Sequence, residues 1–430
     1  MAKIIPFRGY RYNPAKIDIG KVVTKPYDKI SLSEQADYYN ADDHNIVRVI
    51  LGKGSDTDTD KNNRYTRAAC YLNDWIREEI FIREDKPCMY LFDQEFSVEG
   101  KGVLARRALV ALCKVEPYSA KVVFPHEKTL SGPKKDRLDL TIATQAQFGH
   151  IFMLYDDKED KINSSIGTSG AELLYTVKDK LGITHRFSRI SDDTLIKCIQ
   201  SVMADKKLLI ADGHHRYETA INYRNIMLNN APFGTDTPFD YHMMSFVNIN
   251  DPGLVILPTH RVVKNIDSTL LKTWQSKIPE FFDVSREPAG KFNPFDLKSG
   301  KVKFALYAGG NEIDVLTLRD TESAKALMSA NKPDAWYELS VTVLHELVLD
   351  KFLGICPEKL ALQSNITYAA GVDEAQSLVR DGSHQLAFFL PPTEIGKVCD
   401  ISFSGETMPQ KTTDFYPKIY TGFVFNSLKG

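Results

Sequence analysis

Residues 208–220, Leu208-Leu209-Ile210-Ala211-Asp212-Gly213-His214-His215-Arg216-Tyr217-Glu218-Thr219-Ala220, constrain the fold more than any other stretch of this chain. The bulky aliphatic run reads as a buried strand, Gly213 as a tight turn, and the residues from there to about Asn229 as a helix. A strand that turns through glycine into a helix presents the helix N-terminus at the end of a sheet. Amides in that first turn point outward and the helix dipole is positive there, so a phosphate or carboxylate is stabilised. Gly213 permits close backbone approach, and His214, His215 and Arg216 are residue types that donate to anions. Asp212 could bind a metal or orient a neighbour. The alternative is a plain turn with a solvated histidine and a surface arginine.

Elsewhere, helix-like and strand-like segments alternate without an internal repeat, which predicts a mixed α/β or α+β fold. Ile46–Leu51 reads as a strand, and Asn63–Glu79 as a helix from apolar residues at Ala68, Ala69, Leu72, Trp75 and Ile76. Met89–Val98 and Ala105–Val115 read as a hairpin around Gly100-Lys101-Gly102. Phe124–Asp139 reads as a polar loop, Ile151–Tyr155 as a strand, and Ser169–Lys180 and Asp192–Ala204 as helices. Met243–Ile249 and Gly253–Pro258 resemble a strand pair, Val302–Tyr307 a strand, and Val341–Leu353 a helix. A boundary near Asn265 divides the chain into two α+β domains. Residues 1–265 carry the anion-binding segment, and residues 266–430 contribute a basic loop.

At 430 residues with 43% hydrophobic content, the chain can bury sizeable cores. Lys plus Arg total 54 against 56 Asp plus Glu, so no global basic field gathers nucleic acid or anionic lipid, and anion recognition must be local. The six cysteines are scattered, with no C-x-x-C spacing, which argues against structural zinc and a disulfide framework and suits a reducing compartment. No apolar run approaches the length of a membrane span, so a cytoplasmic protein is expected.

Three further clusters carry candidate chemistry. Pro125-His126-Glu127-Lys128-Thr129, continuing through Pro133-Lys134-Lys135-Asp136-Arg137-Leu138, offers Glu127 as a general base, and Lys128, Thr129, Lys134 and Arg137 as phosphate contacts. Leu257-Pro258-Thr259-His260-Arg261 ends a strand with a second His-Arg pair. Met408–Lys418 is a proline-bounded loop rich in hydroxyls and cations, including Lys411. Each also reads as a solvated loop or turn. Their recurrence in a near-neutral chain suggests convergence on one anionic ligand. The P-loop, a G-x-G-x-x-G after a strand, H-E-x-x-H, the kinase H-R-D and D-F-G set and the G-x-S-x-G elbow are absent from the sequence.

Together with Leu344-His345-Glu346, these clusters resemble the prokaryotic family labelled domain of unknown function 1015, from Pro6-Phe7-Arg8-Gly9 to Thr421-Gly422-Phe423. The label carries no activity. Asp212-Gly213-His214-His215-Arg216 is also similar to the phosphate-binding box of the ParB and sulfiredoxin superfamily, closest to the D-G-H-H-R form in free serine kinases. That likeness implies a ParB/sulfiredoxin-like core with additional α+β segments, and nucleotide phosphates held by the box. It implies a glutamate from an earlier segment as base on a serine hydroxyl, for which Glu127 is the positional candidate.

The implied chemistry is phosphoryl transfer, in which positioning and charge neutralisation do most of the catalysis. His214, His215 and Arg216 would clamp phosphate oxygens, with Lys128, Thr129, Lys134, Arg137, His260, Arg261 and Lys411 as further contacts. Asp212 could help hold Mg²⁺, and ATP or ADP is the implied nucleotide. Serine or O-phosphoserine is the implied substrate, in the kinase or the phosphatase direction. Two other classes stay open: a ParB-like nucleotide-dependent switch on DNA, which the near-neutral charge disfavours, and a noncatalytic sensor of a phosphorylated metabolite.

Overall fold

The computed structural model describes residues 2–129, 131–233, 236–297 and 300–429. The fold is mixed α/β, in two compact units. The first comprises residues 1–125, 129–255 and 417–430, and the second residues 126–128 and 256–416. The strand His260–Val263, just before the expected break at Asn265, is an interior strand of the second unit's sheet, while the last fourteen residues belong with the first unit. That C-terminal segment is fixed by backbone pairing of Thr421 with Thr24, Phe425 with Tyr10 and Asn426 with Gln147, and Phe425 packs among Phe81, Phe148 and Tyr10.

The first unit is organised around a nine-stranded sheet. Its order is Val123–Phe124, Leu208–Asp212, Ile151–Tyr155, Tyr241–Asn248, Gly102–Lys114, Met89–Val98, Thr184–Ile190 and Glu172–Lys178, with Ile4–Ile5 pairing to Gly102–Lys114. The sheet is mixed: Leu208–Asp212 runs parallel to Val123–Phe124 and antiparallel to Ile151–Tyr155. The register slips between Ile210 and Asp212, so Ala211 forms a bulge immediately before the glycine turn. A bulge bends its strand and re-aims the next side chain, here Asp212. One core cluster joins Leu208, Ile210, Ile151, Met153, Met244 and Phe246 of the sheet to Tyr217 and helix residues Ile196, Ile199 and Met203.

The second unit holds a six-stranded antiparallel sheet, ordered Phe282–Pro288, Glu312–Leu318, Lys303–Tyr307, Leu386–Phe389, His260–Val263 and Ile366–Ala369. Val262, Ala305, Tyr307, Ala387 and Phe389 form its core with Ala375 of the helix Val372–Arg380.

Several expectations hold: the helix Arg64–Arg77, the hairpin of Met89–Val98 and Gly102–Lys114, the strand Ile151–Tyr155, the helix Asp193–Met203 and the strand Lys303–Tyr307. Others are corrected. Val47–Ile50 is a short helix, not a strand; Asn45 accepts the Val47 N–H at 2.9 Å, and Val47, Val49 and Ile50 are buried. A short apolar run carries no periodicity to tell the two apart. Glu172–Lys178 is a strand, not a helix, with Tyr175 and Val177 buried on one face of a sheet edge. Ser131–Thr144 is a helix that begins inside the expected loop Phe124–Asp139 and runs past its end; Leu130 lies outside the described residues. Tyr241–Asn248 pairs with Gly102–Lys114 and Ile151–Tyr155, not with the strand Val255–Leu257. The expected helix Val341–Leu353 is present as Ser340–Val343 followed by a wide helical stretch over Leu344–Phe352. Among the described residues no helix is long and apolar enough to cross a membrane.

Candidate functional site

The strand Leu208–Asp212 is fully buried up to Ala211 and delivers Asp212 to the sheet end. Gly213 then turns at φ +97°, a left-handed conformation that a β-carbon disfavours, and the helix His214–Met227 begins. Gly213 gives that helix no capping side chain, so its positive end is offered to whatever lies beyond the turn. His214 is buried and His215 half-buried.

Arg216 does not extend outward. Its Nη2 donates to Asp212 Oδ2 at 2.6 Å, its Nη1 donates to the carbonyl of His150, and the guanidinium lies against Gly213. Lys418 Nζ stands 3.4 Å from the other Asp212 oxygen. Burial alone would raise the Asp212 carboxyl, but Lys418, Arg216, Lys29 and His214 reverse this and hold it well below the usual carboxylate range. One carboxylate is therefore ringed by cations at a positive helix end. Arg216 positions Asp212 and the turn, which differs from the outward clamp the box pattern suggests.

His150, immediately before the neighbouring strand Ile151–Tyr155, supports this arrangement. Its Nδ1 meets Ser245 Oγ at 2.6 Å, and burial, with Arg216 and His242 nearby, pushes its imidazole down to about 3. It is neutral at physiological pH and so adds no repulsion to Arg216. Arg216, Arg137, Tyr27, His242 and Thr219 line a small cavity of about 50 Å³ beside the turn.

The remaining expected residues fall into separate groups. In the first unit, Thr129 Oγ1 and Lys134 Nζ both donate to Glu218 Oε2 at 2.8 Å, joining that segment to the box helix. Arg137 is committed to Asp136 at 2.8 Å and to the Ile50 carbonyl at 2.9 Å, with its guanidinium 3.7 Å from the Tyr27 ring centre. It braces the fold and has few donors to spare for a ligand.

Glu127 and Lys128 belong to the second unit, as do His260, Arg261 and Lys411. His126, next to Glu127, has its Nε2 2.8 Å from Thr413 Oγ1, and its carbonyl accepts the Met408 N–H. Lys128 borders a cavity of about 470 Å³ with Trp336, Tyr368 and Glu406. His260 is a core histidine: its Nδ1 accepts the Leu390 N–H, its ring meets Phe389 edge-on, and burial holds it down to about 3. Lys411 engages Arg261 through its main-chain carbonyl.

Lys29, His150 and Glu218 were not singled out by the sequence. Lys29 follows an irregular proline turn, and His150 precedes an apolar strand, so neither carries a local signal. Lys418 lay at the end of a recognised basic loop, and its place beside Asp212 comes from the return of the C-terminal segment.

A family model described as "Protein of unknown function (DUF1015)" matches residues 4–342. No curated protein matches the chain. Among solved structures, a conserved hypothetical protein from Pyrococcus furiosus is 14% identical, with 74% of this chain and 96% of that chain covered at a TM-score of 0.37. A free serine kinase in complex with AMP is 13% identical, covering 73% of this chain and 92% of that chain at 0.37. SbnI with a C-terminal truncation, from Staphylococcus aureus, is 11% identical, with 72% and 84% covered at 0.34. Likenesses of this size carry no argument about activity.

Proposed function

We propose, for a chain that belongs to the DUF1015 family of proteins of unknown function, that the Asp212–Arg216 box binds the phosphate of a small ligand and serves phosphoryl transfer to or from a hydroxylated metabolite. One observation carries the reading: the helix that starts after Gly213 has no side-chain cap, and Lys418, Lys29 and Arg216 gather around a single carboxylate at its positive end. Such a place stabilises an incoming anion through the helix end and the cations together.

The proposed roles divide among the box residues, the C-terminal segment and Glu127. The first turn of the box helix, His214 and His215, and Lys418 take the phosphate oxygens. Asp212 fixes Arg216 and Lys418, and Arg216 fixes the turn. The substrate is serine or O-phosphoserine, on the strength of the D-G-H-H-R pattern, with ATP or ADP as the phosphate donor. In the forward direction the serine Oγ–P bond forms, the bond from that phosphorus to the nucleotide's bridging oxygen breaks, and the hydroxyl proton passes to Glu127. Glu127 is proposed as the base on the likeness of the sequence pattern alone; within the first unit, Val123–Phe124 and Leu208–Asp212 are parallel neighbours, so Pro125 and Gly213 leave the sheet at the same end. Ligands of open α/β sheets gather at the C-terminal ends of parallel strands.

Mg²⁺ is not assigned to Asp212. Each of its oxygens already meets a cation, and among the described residues no group of three His, Cys, Asp or Glu side chains could hold a metal.

The test is incubation of the pure protein with serine plus ATP or ADP, and separately with O-phosphoserine, followed by ³¹P NMR. A growing phosphoserine or inorganic phosphate signal is expected. No turnover in any combination, with ligand-induced thermal stabilisation retained, removes the enzyme reading and leaves a noncatalytic sensor.

A further inference from the structure

Away from the box, Arg261 is another buried cation, and no carboxylate among the described residues pairs with it. It is 1% exposed in the interior strand His260–Val263 of the second unit's sheet. Nε donates to His345 Nε2 at 3.0 Å, Nη2 donates to the carbonyls of Gln410 at 3.0 Å and Lys411 at 2.9 Å, and Nη1 donates to the Thr259 carbonyl. The Tyr368 ring centre lies 5.3 Å from the guanidinium carbon.

Every one of these partners is neutral. Burial holds the His345 imidazole well below its ordinary value, and it accepts the Arg261 hydrogen. Burial also lowers Arg261 itself to about 10, which leaves it charged at neutral pH. A guanidinium has five N–H donors, and the four bonds above leave one Nη1 hydrogen without an acceptor among the described residues. A buried charge is normally paired, because the low dielectric makes an isolated one costly. Hydrogen bonds to carbonyls solvate Arg261 but do not neutralise it.

Arg261 also lines a cavity of about 410 Å³, large enough for a small metabolite. Among the described residues, the other charged members of the lining are Lys301, Lys397, Glu338 and Glu394, so three cations face two carboxylates there. Lys397 and Glu338 largely cancel, 3.5 Å apart. The nine-residue helix Ile395–Phe403 opens onto the same cavity at Glu394, without a side-chain cap. The deepest cation is thus left to an anion from outside the chain.

We propose that this cavity is a second anion-binding site, built within residues 256–416 on Arg261, and that it takes the phosphate group of a small molecule independently of the Asp212–Arg216 box. A phosphate there would accept the remaining Nη1 hydrogen and neutralise the guanidinium in a charge-assisted hydrogen bond. The site goes beyond the proposed phosphoryl transfer and does not depend on it.

The experiment is calorimetric titration of the full-length protein with inorganic phosphate at low ionic strength. Two sites per chain are expected. Lys418→Glu, in the box, should remove one and leave the other. Arg261→Gln should abolish the remaining site; because that residue is buried, Lys397→Glu provides an arm that keeps every Arg261 hydrogen bond and makes the cavity's net charge more negative by two. It should weaken the remaining site at least tenfold. Loss of all phosphate binding in Lys418→Glu, or residual binding unchanged by Lys397→Glu, overturns the proposal. Binding that survives Lys418→Glu undiminished but disappears in Lys397→Glu supports the cavity and counts against the box.

Discussion

Arg216 reaches back across the turn that precedes it and meets Asp212, four residues earlier, with Nη2 2.6 Å from Oδ2. This pair spans the strand-to-helix junction, so the arginine fastens the last residue of the strand to the first turn of the helix. Its second bond, to the His150 carbonyl, ties the junction to the adjacent strand. Lys418 completes the neutralisation of Asp212 from the C-terminal segment.

Removing the guanidinium should therefore act on folding and binding together. Arg216→Ala leaves Asp212 with the more distant Lys418 and deprives the His150 carbonyl of its donor. A loss of about 2–3 kcal/mol in urea denaturation is expected, as for charge-assisted hydrogen bonds, with phosphate affinity at the box weakened at least tenfold. Unchanged stability with weakened binding would instead mean that Arg216 contacts the ligand directly.

Gly213 should be intolerant for two reasons that add. At φ +97° any side chain is strained, and a β-carbon there would stand 3.0 Å from the Arg216 guanidinium carbon and Nε. Gly213→Ala is expected to cost about 1–2 kcal/mol through the backbone alone, and to push Arg216 off Asp212. Denaturation and phosphate titration should fall together, and a variant with native affinity would show that the turn is not part of the site.

The box was legible because its signals are local. An aliphatic run before a glycine marks a strand and turn, and the polar stretch after it forms the helix His214–Met227. The helix Ser131–Thr144 was hidden because its first two turns are dominated in sequence by charges and small residues, and the positions described as buried are Arg137, Leu140 and Thr144. The edge strand Glu172–Lys178 exposes Leu173, which blurred its alternation. The convergence of His150 on Arg216 was beyond local reading: Asp212 pairs with Phe152, and that register places His150 next to the turn. Likewise nothing in Thr259-His260-Arg261 distinguishes a buried arginine solvated by carbonyls from a surface pair.

If Glu127 accepts the proton of the substrate hydroxyl, the carboxylate is needed for turnover and not for holding phosphate. Glu127→Gln keeps the shape and removes the base. A drop of 10²–10⁴-fold in kcat is the scale for losing a general base, with ligand-induced stabilisation by ADP unchanged. Equal loss of nucleotide binding in Glu127→Gln and Arg216→Ala would remove the base assignment.

Buried neutral histidines should make the protein acid-sensitive well above the carboxylate range. His150 and His242 lie in the first unit with their imidazoles pushed down by burial to about 3 and about 4. In the unfolded chain both titrate near their ordinary value of about 6.5. As pH falls through that value the unfolded state takes up protons that the folded state refuses, so folding loses stability from about pH 6.5 down to the folded values. The slope reaches about 1.4 kcal/mol per pH unit for each histidine. Asp212, held below its ordinary value, adds a loss of the same sign once pH falls below about 4. Urea midpoints at pH 7.5, 6.0 and 5.0 should decline steadily, and His150→Gln, which cannot charge in either state, should flatten part of that decline. A midpoint that stays constant from pH 7.5 to 5.0 would show that these imidazoles are protonated to the same degree in the folded and unfolded chain.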